Sequence, residues 1–405
     1  MKNTVFNSAC LFILAIQVGC SRPTKGDVDI SDGSGKAVRA KGADSSQSSE
    51  DSTPPEKAAV NMARVPVFTL SKTPISLGCQ PPTDLGFIVE DGLSLSNSYL
   101  LARFSMLGSR SLAFDAKSLP LWLKNAGFTE STLLENVKYG VQGVVAVSDK
   151  INIVVFRGTH SIQGVMTDVA MGEPEVRGGA HKGFSEAYQS ISKTFLKALE
   201  GEPINRATYF VGHSLGGAIA LLAALDVQRN KGQVSGVLTL GQPRVGDGSF
   251  AAEAETILGD KLRRYVFNHD VIPHLPPSAG SSDELVKAFG TSLSSSINSD
   301  FGSFLGVPLG DITQIAWAGT AQSFARKNFT HVGVPLQLGN STYVRTSFLD
   351  DDSWDQTFWK INRDKFLTFL QKPEAIIGSD IILDHGVERY LCAVLEQSQN
   401  QDPVQ

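Results

Sequence analysis

Residues 208–225 read TYFVGHSLGGAIALLAAL, an apolar run followed by a glycine-flanked serine and an alanine- and leucine-rich segment. The first part, Thr208–Val211, is β-branched and aromatic, which favours a strand. The part that follows, Gly216–Val227, is rich in strong helix formers. A serine with one glycine two residues before it and another two residues after it is typical of a sharp strand-to-helix turn. The two glycines let the strand and the helix pass close together.

The chain on both sides of this turn alternates between predicted strands and helices. Further strands are predicted at 143–147, 151–156, 234–240 and 264–268, the first two forming a hairpin. Further helices are predicted at 97–107, 119–125 and 186–199. Strands that alternate with helices are typical of a sheet covered on both faces. The sequence therefore predicts an α/β fold with a mainly parallel central sheet flanked by helices.

Ser214 at such a turn is a candidate nucleophile. A serine hydroxyl needs a base to activate it, and the base needs an acid to orient it. In the α/β-hydrolase fold, to which this type of turn belongs, the chain order is serine, acid, histidine. Asp270 follows the predicted strand 264–268, two strands beyond the nucleophile, and is our candidate acid. Asp247 competes for that role, but it follows the intervening strand.

Four histidines lie beyond Ser214 and could supply the base: His269, His274, His331 and His385. The first two are too near Asp270 to come from a separate loop. His331 directly precedes an apolar run, as a structural histidine at a strand end would. His385 lies in a predicted loop before a helical stretch, so we favour it as the base and keep His331 as the alternative.

Six stretches of the chain, in order, carry the motifs of a known family. They read VFRGT at 155–159, HKGF at 181–184 with AY at 187–188, GHSLGGA at 212–218, GQPRVGD at 241–247, NHDVIPHLPP at 268–277, and DH at 384–385 with YL at 390–391. In these motifs the sequence resembles the class 3 lipases, which include fungal triacylglycerol lipases and their bacterial and plant relatives. The resemblance implies hydrolysis of lipid esters, with Ser214 as nucleophile, Asp270 as acid and His385 as base.

The same resemblance implies an oxyanion hole, the donors that stabilise negative charge on the substrate carbonyl oxygen. The backbone N–H of Leu215 is one donor. Thr159 matches the second donor, through its N–H and its hydroxyl. Asp168 matches the residue that braces this hydroxyl, although it could instead be a solvated surface charge. No metal ion or cofactor is implied.

Residues 161–170 occupy the place of the family's lid, a short amphipathic helix over the site. Four apolar residues recur there at helical spacing: Ile162, Val165, Met166 and Val169. The sequence departs from true lipases at Gly164-Val165, where a bulky aromatic residue often stands. We therefore expect a weaker lid and weaker interfacial activation.

A long insertion, residues 278–330, separates the Pro-Pro pair from the predicted strand that follows His331. Its middle part is apolar, with Phe301, Phe304, Leu305, Val307, Leu309, Ile312, Ile315 and Trp317. Insertions of this length are usually functional lids or disordered segments. We expect a cap, a membrane-contacting surface or a wall for the acyl chain, and the alternative is a packed excursion without a function of its own.

The N-terminus has the features of an export signal. Lys2 is positive, and Ala9–Val18 is apolar but too short to span a bilayer as a stable helix. Gly19-Cys20 resembles the bacterial lipobox, in which the cysteine is lipidated, although Gln17 stands where that motif usually has Leu, Val or Ile. The alternative is an ordinary cleaved signal. We expect an exported protein: an outer-membrane lipoprotein, or a periplasmic or secreted one.

Composition divides the chain into four parts. Residues 1–20 are the signal peptide, and 21–64 are a polar linker that buries too little apolar surface to fold and acts as a tether. Residues 65–397 form the α/β-hydrolase domain with its insertion, and 398–405 are a tail. The net charge is -5, and no basic run interleaves with aromatic residues, which argues against nucleic-acid binding. The expected partners are a lipid or ester substrate and a membrane surface, reached through the anchor and the insertion.

The cysteines have no C-x-x-C spacing, so a zinc or iron–sulfur centre is not expected. Cys79 and Cys392 remain after the signal. Some fungal relatives bridge the two ends of the domain, which implies a disulfide here, whereas Cys392 could instead be a core residue in an apolar helix.

The sequence is compatible with several functions. The candidate substrates are triacylglycerols, phospholipids cleaved in the A1 manner, and short-chain or feruloyl-type esters. A rival of another class is an inactive, surface-anchored binding protein that keeps the fold. The complete set of candidate catalytic residues favours an enzyme.

Overall fold

The computed structural model describes residues 68–69, 79, 86–87, 89–90, 92–109, 118–158, 179–278, 281, 329–333, 335–339, 351–371 and 379–400. The strands are β1 (Phe68–Thr69), β2 (Gly86–Phe87), β3 (Glu130–Asn136), β4 (Val141–Val147), β5 (Ile151–Phe156), β6 (Ala207–His213), β7 (Val234–Leu240), β8 (Gly246–Asp247), β9 (Leu262–Phe267), β10 (Phe329–Thr330) and β11 (Pro335–Leu338). The helices are α1 (Leu95–Ser109), α2 (Ser118–Asn125), α3 (Lys182–Ala198), α4 (Leu215–Arg229), α5 (Gly248–Leu258), α6 (Asp351–Gln371), α7 (Asp380–Leu383) and α8 (Val387–Asn400).

Seven strands form the central sheet, in the order β11-β9-β7-β6-β5-β4-β3. The neighbours from β11 to β5 run parallel, whereas β5-β4-β3 is an antiparallel meander. The predicted hairpin is β4 and β5, and the predicted mainly parallel sheet is confirmed. Strand β6, which leads into Ser214, pairs with β5 on one side and β7 on the other.

The sheet has a hydrophobic core on each face, because side chains alternate along a strand. In β6, Phe210 belongs to the core covered by α3, α4, α5 and α6. Tyr209 and Val211 point to the opposite core, which α1, α2 and α8 cover. Both faces of the sheet are therefore buried, which agrees with the continuous apolar runs of its parallel strands.

Three features differ from the sequence prediction. The helix predicted at 186–199 begins earlier, at Lys182, and the antiparallel edge strand β3 was not expected. The long helix α6 was also not expected. Cys79 and Cys392 form a disulfide, with a Cα–Cα distance of 5.6 Å, so of the two alternatives the structure shows the bridge.

No helix among these described residues is both long enough and apolar enough to cross a membrane.

Candidate active site

Ser214 lies in the single-residue turn between β6 and α4. Its backbone has a φ of 56° and a ψ of -128°, a conformation that side-chain-bearing residues rarely adopt. The neighbouring glycines make the turn possible. A Cβ on Gly212 would lie 2.0 Å from the carbonyl oxygen of Gly216, and one on Gly216 would lie 2.3 Å from that of Phe156. The surrounding structure thus fixes a strained serine at the start of a helix.

Asp270 lies in the loop that follows β9, and it is fully buried. Its Oδ1 accepts a hydrogen bond from the N–H of Ile272 at 2.9 Å. Its Oδ2 accepts one from the hydroxyl of Tyr390 at 2.6 Å. The carboxylate is therefore held in one orientation by two donors.

His385 lies in the turn between α7 and α8, and its Nδ1 is 2.8 Å from Oδ2 of Asp270 and 3.0 Å from Oδ1. A proton on Nδ1 leaves a lone pair on Nε2, which can accept a proton. Nε2 of His385 and Oγ of Ser214 are both buried, and neither has a hydrogen-bond partner among the described residues. The site thus holds an oriented imidazole and a serine hydroxyl, each with an unused polar atom.

His213 connects the serine turn to the base. Its ring lies against that of His385, with a centroid distance of 4.6 Å, and its Nε2 donates to the carbonyl oxygen of His385 at 2.7 Å. Burial and the nearby His385 hold the pKa of His213 well below its usual value. His213 therefore stays neutral at pH 7, and it adds no positive charge beside the base.

Gly241 and Gly158 bring the backbone close to these side chains. A Cβ on Gly241, which has a φ of +59°, would lie 2.8 Å from Oδ2 of Asp270 and 3.1 Å from Nδ1 of His385. A Cβ on Gly158 would lie 3.1 Å from Cβ of Ser214. A side chain at Gly241 would therefore press on the Asp270 carboxylate, and one at Gly158 would press on the carbonyl oxygen of His213, at 2.9 Å, in the serine turn.

The two residues that competed for the roles of acid and base have other contacts. Oδ1 of Asp247 accepts from the N–H groups of Ser249 and Phe250, both at 3.0 Å, and so caps α5. Nε2 of His331 donates to the carbonyl oxygen of Pro273. Both residues therefore have structural contacts, and neither is part of the Asp270–His385 pair.

The predicted oxyanion residues are only partly described. Leu215 is the first residue of α4, where backbone N–H groups lack an acceptor within the helix, so its N–H is available as a donor. Thr159, Asp168, the lid segment 161–170, Cys20 and most of the insertion 278–330 lie outside the described residues. Gly158, next to Thr159, packs against the serine turn.

A buried ionic cluster lies beyond the acid loop. Asp355 of α6 forms an ion pair with Arg244 at 2.8 Å and a hydrogen bond with Nδ1 of His274 at 2.8 Å, and it accepts hydrogen bonds from the hydroxyls of Ser278 and Ser281. Burial alone would raise the pKa of Asp355, but Arg244 and His274 hold it well below its usual value. The cluster attaches α6 to the segments that follow β7 and Asp270.

Sequence reasoning did not assign roles to Tyr390, His213 and Asp355. Tyr390 and His213 lie inside the family motifs, which was the only signal for them. The described residues contain no group of three or more His, Cys, Asp or Glu side chains that could hold a metal ion.

A strained serine at a strand-to-helix turn, on a mainly parallel sheet and beside a buried Asp–His pair, defines the α/β-hydrolase fold. Residues 153–280 match the family model Lipase (class 3), and this segment contains the serine turn and the acid loop. The match supports the class 3 lipase family for the middle of the chain.

Individual relatives agree with this match. The lipase of Rhizomucor miehei is 40% identical over 164 residues, which are 37% of this chain and 44% of that protein. A secreted mono- and diacylglycerol lipase of Malassezia globosa is 33% identical over 101 residues, 24% of this chain and 33% of that protein. The chain thus spans less than half the length of these curated relatives. The solved triacylglyceride lipase of Rhizomucor miehei is 32% identical, covering 45% of this chain and 74% of that one, with a TM-score of 0.37.

Proposed function

We propose that this protein is a serine hydrolase that cleaves carboxylic esters of lipids, with Ser214, His385 and Asp270 as its triad. The observation that carries the proposal is the buried Asp270–His385 pair beside the serine turn, with a distance of 2.8 Å between Nδ1 and Oδ2. The match of residues 153–280 to the class 3 lipases gives independent support.

In the proposed mechanism, Oγ of Ser214 attacks the ester carbonyl while Nε2 of His385 takes its proton. His385 then gives this proton to the leaving alcohol, and the acyl group stays on Ser214. Water, activated by the same histidine, releases the acid. Asp270 keeps the imidazole in the tautomer that leaves Nε2 free, and it stabilises the imidazolium that forms. Tyr390 and Ile272 hold this carboxylate in place.

The reaction also requires that negative charge on the substrate carbonyl oxygen be stabilised. We assign its stabilisation to the N–H of Leu215 and to Thr159, braced by Asp168. One donor of this kind contributes about 2.7–4 kcal/mol to the transition state. The strained conformation of Ser214 brings its side chain and the first N–H groups of α4 to the same end of the sheet.

We propose acylglycerols as the substrate class and an exported location. Relatives are named lipase and secreted mono- and diacylglycerol lipase. The Cys79–Cys392 disulfide agrees with export, since such bonds persist in oxidising compartments. Phospholipids and short-chain or feruloyl-type esters are the alternative substrates.

The test is a substrate series with the protein and its Ser214→Ala variant. p-Nitrophenyl esters of increasing chain length, a triacylglycerol emulsion and a phospholipid are compared, and a fluorophosphonate probe is used to label the serine. We expect ester hydrolysis, labelling at Ser214, and at least a ~1000-fold loss of turnover in Ser214→Ala with the fold intact. Near-normal turnover in that variant, or no hydrolysis of any ester, would refute the proposal.

A further inference from the structure

The acid and the base of the proposed triad come from two loops that are far apart in sequence. Asp270 and His385 are 115 residues apart, and so are their immediate predecessors, His269 and Asp384. The relative position of the two loops must be fixed by contacts between them, because no short chain segment links them.

A second hydrogen bond joins the loops directly beside the first. Oδ2 of Asp384 accepts from the backbone N–H of His269 at 3.1 Å. A third contact, from the N–H of Val271 to the carbonyl oxygen of Ile381 at 3.3 Å, lies on the other side of the Asp270–His385 pair. The Asp270–His385 pair therefore has a contact between the two loops on each side. One is made by the side chain of Asp384, and the other joins the backbones of Val271 and Ile381.

The Asp384 carboxylate is itself held rigidly. Its side chain is only 3% exposed, and its second oxygen accepts from the guanidinium of Arg389, in the first turn of α8. One carboxylate thus connects the acid loop, the base loop and the helix that carries Tyr390. An exposed carboxylate could not do this, because solvent would compete for both of its oxygens.

We propose that Asp384 is a positioning residue for the proposed reaction, which it serves by fixing the acid loop against the base loop. The inference rests on the proposed function. Proton transfer requires Nε2 of His385 to reach Oγ of Ser214 in a narrow range of geometries. A displacement of about 1 Å at such a site can cost about 100-fold in rate. Loss of the Asp384 contact removes one of the two hydrogen bonds that join the two loops beside the Asp270–His385 pair.

Asp380 supplies a matched control. It is the same residue type four positions earlier, at the first residue of α7, but its side chain is 40% exposed. Its hydrogen bonds go to Lys365 on the surface and to the N–H of Ile381. Its Oδ2 also lies 3.7 Å from Nδ1 of His269, much as Oδ2 of Asp384 does at 3.8 Å. Replacing Asp380 therefore removes a carboxylate and its long contact with the His269 ring, but no hydrogen bond to the backbone of the acid loop.

The experiment compares kcat, KM and the rate of fluorophosphonate labelling of Ser214 in D384A, D384N, R389M and D380A. We expect D384A to lower kcat and the labelling rate about 10- to 100-fold, with little change in KM. D384N keeps an acceptor oxygen for the His269 N–H and should recover most of this loss. R389M, which frees the other carboxylate oxygen at a half-exposed site, should lower kcat slightly, and D380A should match the wild type.

Equal kcat in D384A and D380A, or equal losses in D384A and D384N, would overturn the positioning role. If D384A does not fold, R389M decides: a lower kcat at constant KM supports the role, and an unchanged kcat overturns it. The wild-type protein is assayed first. A wild type that is labelled at Ser214 but hydrolyses no ester would refute the proposed function, while the labelling rates would still test Asp384.

Discussion

The hydroxyl of Tyr390 makes two hydrogen bonds that bear on the proposed acid. It donates to Oδ2 of Asp270 at 2.6 Å and accepts from the N–H of Phe267 at 3.0 Å. The loss of this hydroxyl would leave buried polar groups without one of their hydrogen-bond partners. The tyrosine therefore supports the orientation of Asp270.

Tyr390→Phe should lower kcat about 10-fold, because Asp270 loses one of its fixed donors, and should destabilise the protein by about 1–3 kcal/mol. Steady-state kinetics and urea unfolding measure the two effects. Tyr188→Phe is the control, since Tyr188 donates to Asp226, away from the site. If both variants lose the same fraction of kcat, the role assigned to Tyr390 is wrong.

The two candidate bases should also respond differently to replacement. His385→Ala should abolish turnover and also lower the melting temperature, because the buried Asp270 loses its bond to Nδ1 of His385. His331→Ala should lower the melting temperature as well, since it loses the bond to Pro273, but should keep much of its turnover. Kinetics and thermal unfolding of both variants are the measurement, and the reverse result would make His331 the base.

Motif and chain order led to Ser214, Asp270 and His385 as candidates, because the chemistry requires those residue types and the α/β-hydrolase fold sets their order along the chain. They could not assign Tyr390 or Asp384. Their contacts span 120 and 115 residues, and depend on where α8 and the base loop pack against the acid loop. A tyrosine or an aspartate in a motif looks the same in sequence whether it faces solvent or a buried loop.

Helix α6 shows that a whole helix can also be missed in the sequence. Its buried residues recur every four positions, at Trp354, Phe358, Asn362 and Phe366, which is a helical spacing. A polar asparagine interrupts the apolar row, and charged residues surround it, so the pattern is weak in sequence. The position of Asp355 against Arg244 and His274 follows from packing that the local sequence does not encode.

Asp355→Ala should destabilise the protein by about 3–5 kcal/mol, because it leaves the buried Arg244 without its counter-ion. Urea unfolding measures the loss. Asp364→Ala is the control on the same helix, since the side chain of Asp364 is 86% exposed, and it should change stability little. An equal loss in the two variants would show that the buried cluster does not stabilise the fold.

The stability difference between wild type and Asp355→Ala should depend on pH in a direction set by the pKa of Asp355. The pKa of Asp355 in the folded protein lies below its usual value of 3.8. Its contribution to stability is therefore fully present above that value and is lost as the pH falls through the lower folded-state pKa. The stability gap between wild type and Asp355→Ala should be constant above about pH 5 and should narrow toward pH 3. A gap that widened on acidification would contradict the assignment.

At the scale of the whole molecule, the alternation of strands and helices was enough to predict the central sheet, because each parallel strand needs a crossover. The insertion 278–330 could not be interpreted in the same way, since its apolar middle part fits a cap and a packed excursion equally well. The structure describes only its ends. Ser278 and Ser281 bond to Asp355, and β10 pairs with β8.

A test of the insertion should keep these contacts at its two ends. We expect its apolar residues to contact aggregated lipid, because exposed apolar patches mark such surfaces. If Cys20 is lipidated, the linker of residues 21–64 would have an end-to-end distance of about 35 Å, and the domain would reach the adjacent bilayer. Replacing residues 283–327 by a short Gly/Ser linker keeps Ser281 and β10. This change should reduce hydrolysis of a lipid emulsion far more than hydrolysis of a soluble short-chain ester. Equal losses on the two substrates would make the insertion structural, and unchanged membrane fractionation of Cys20→Ala would separately exclude the anchor.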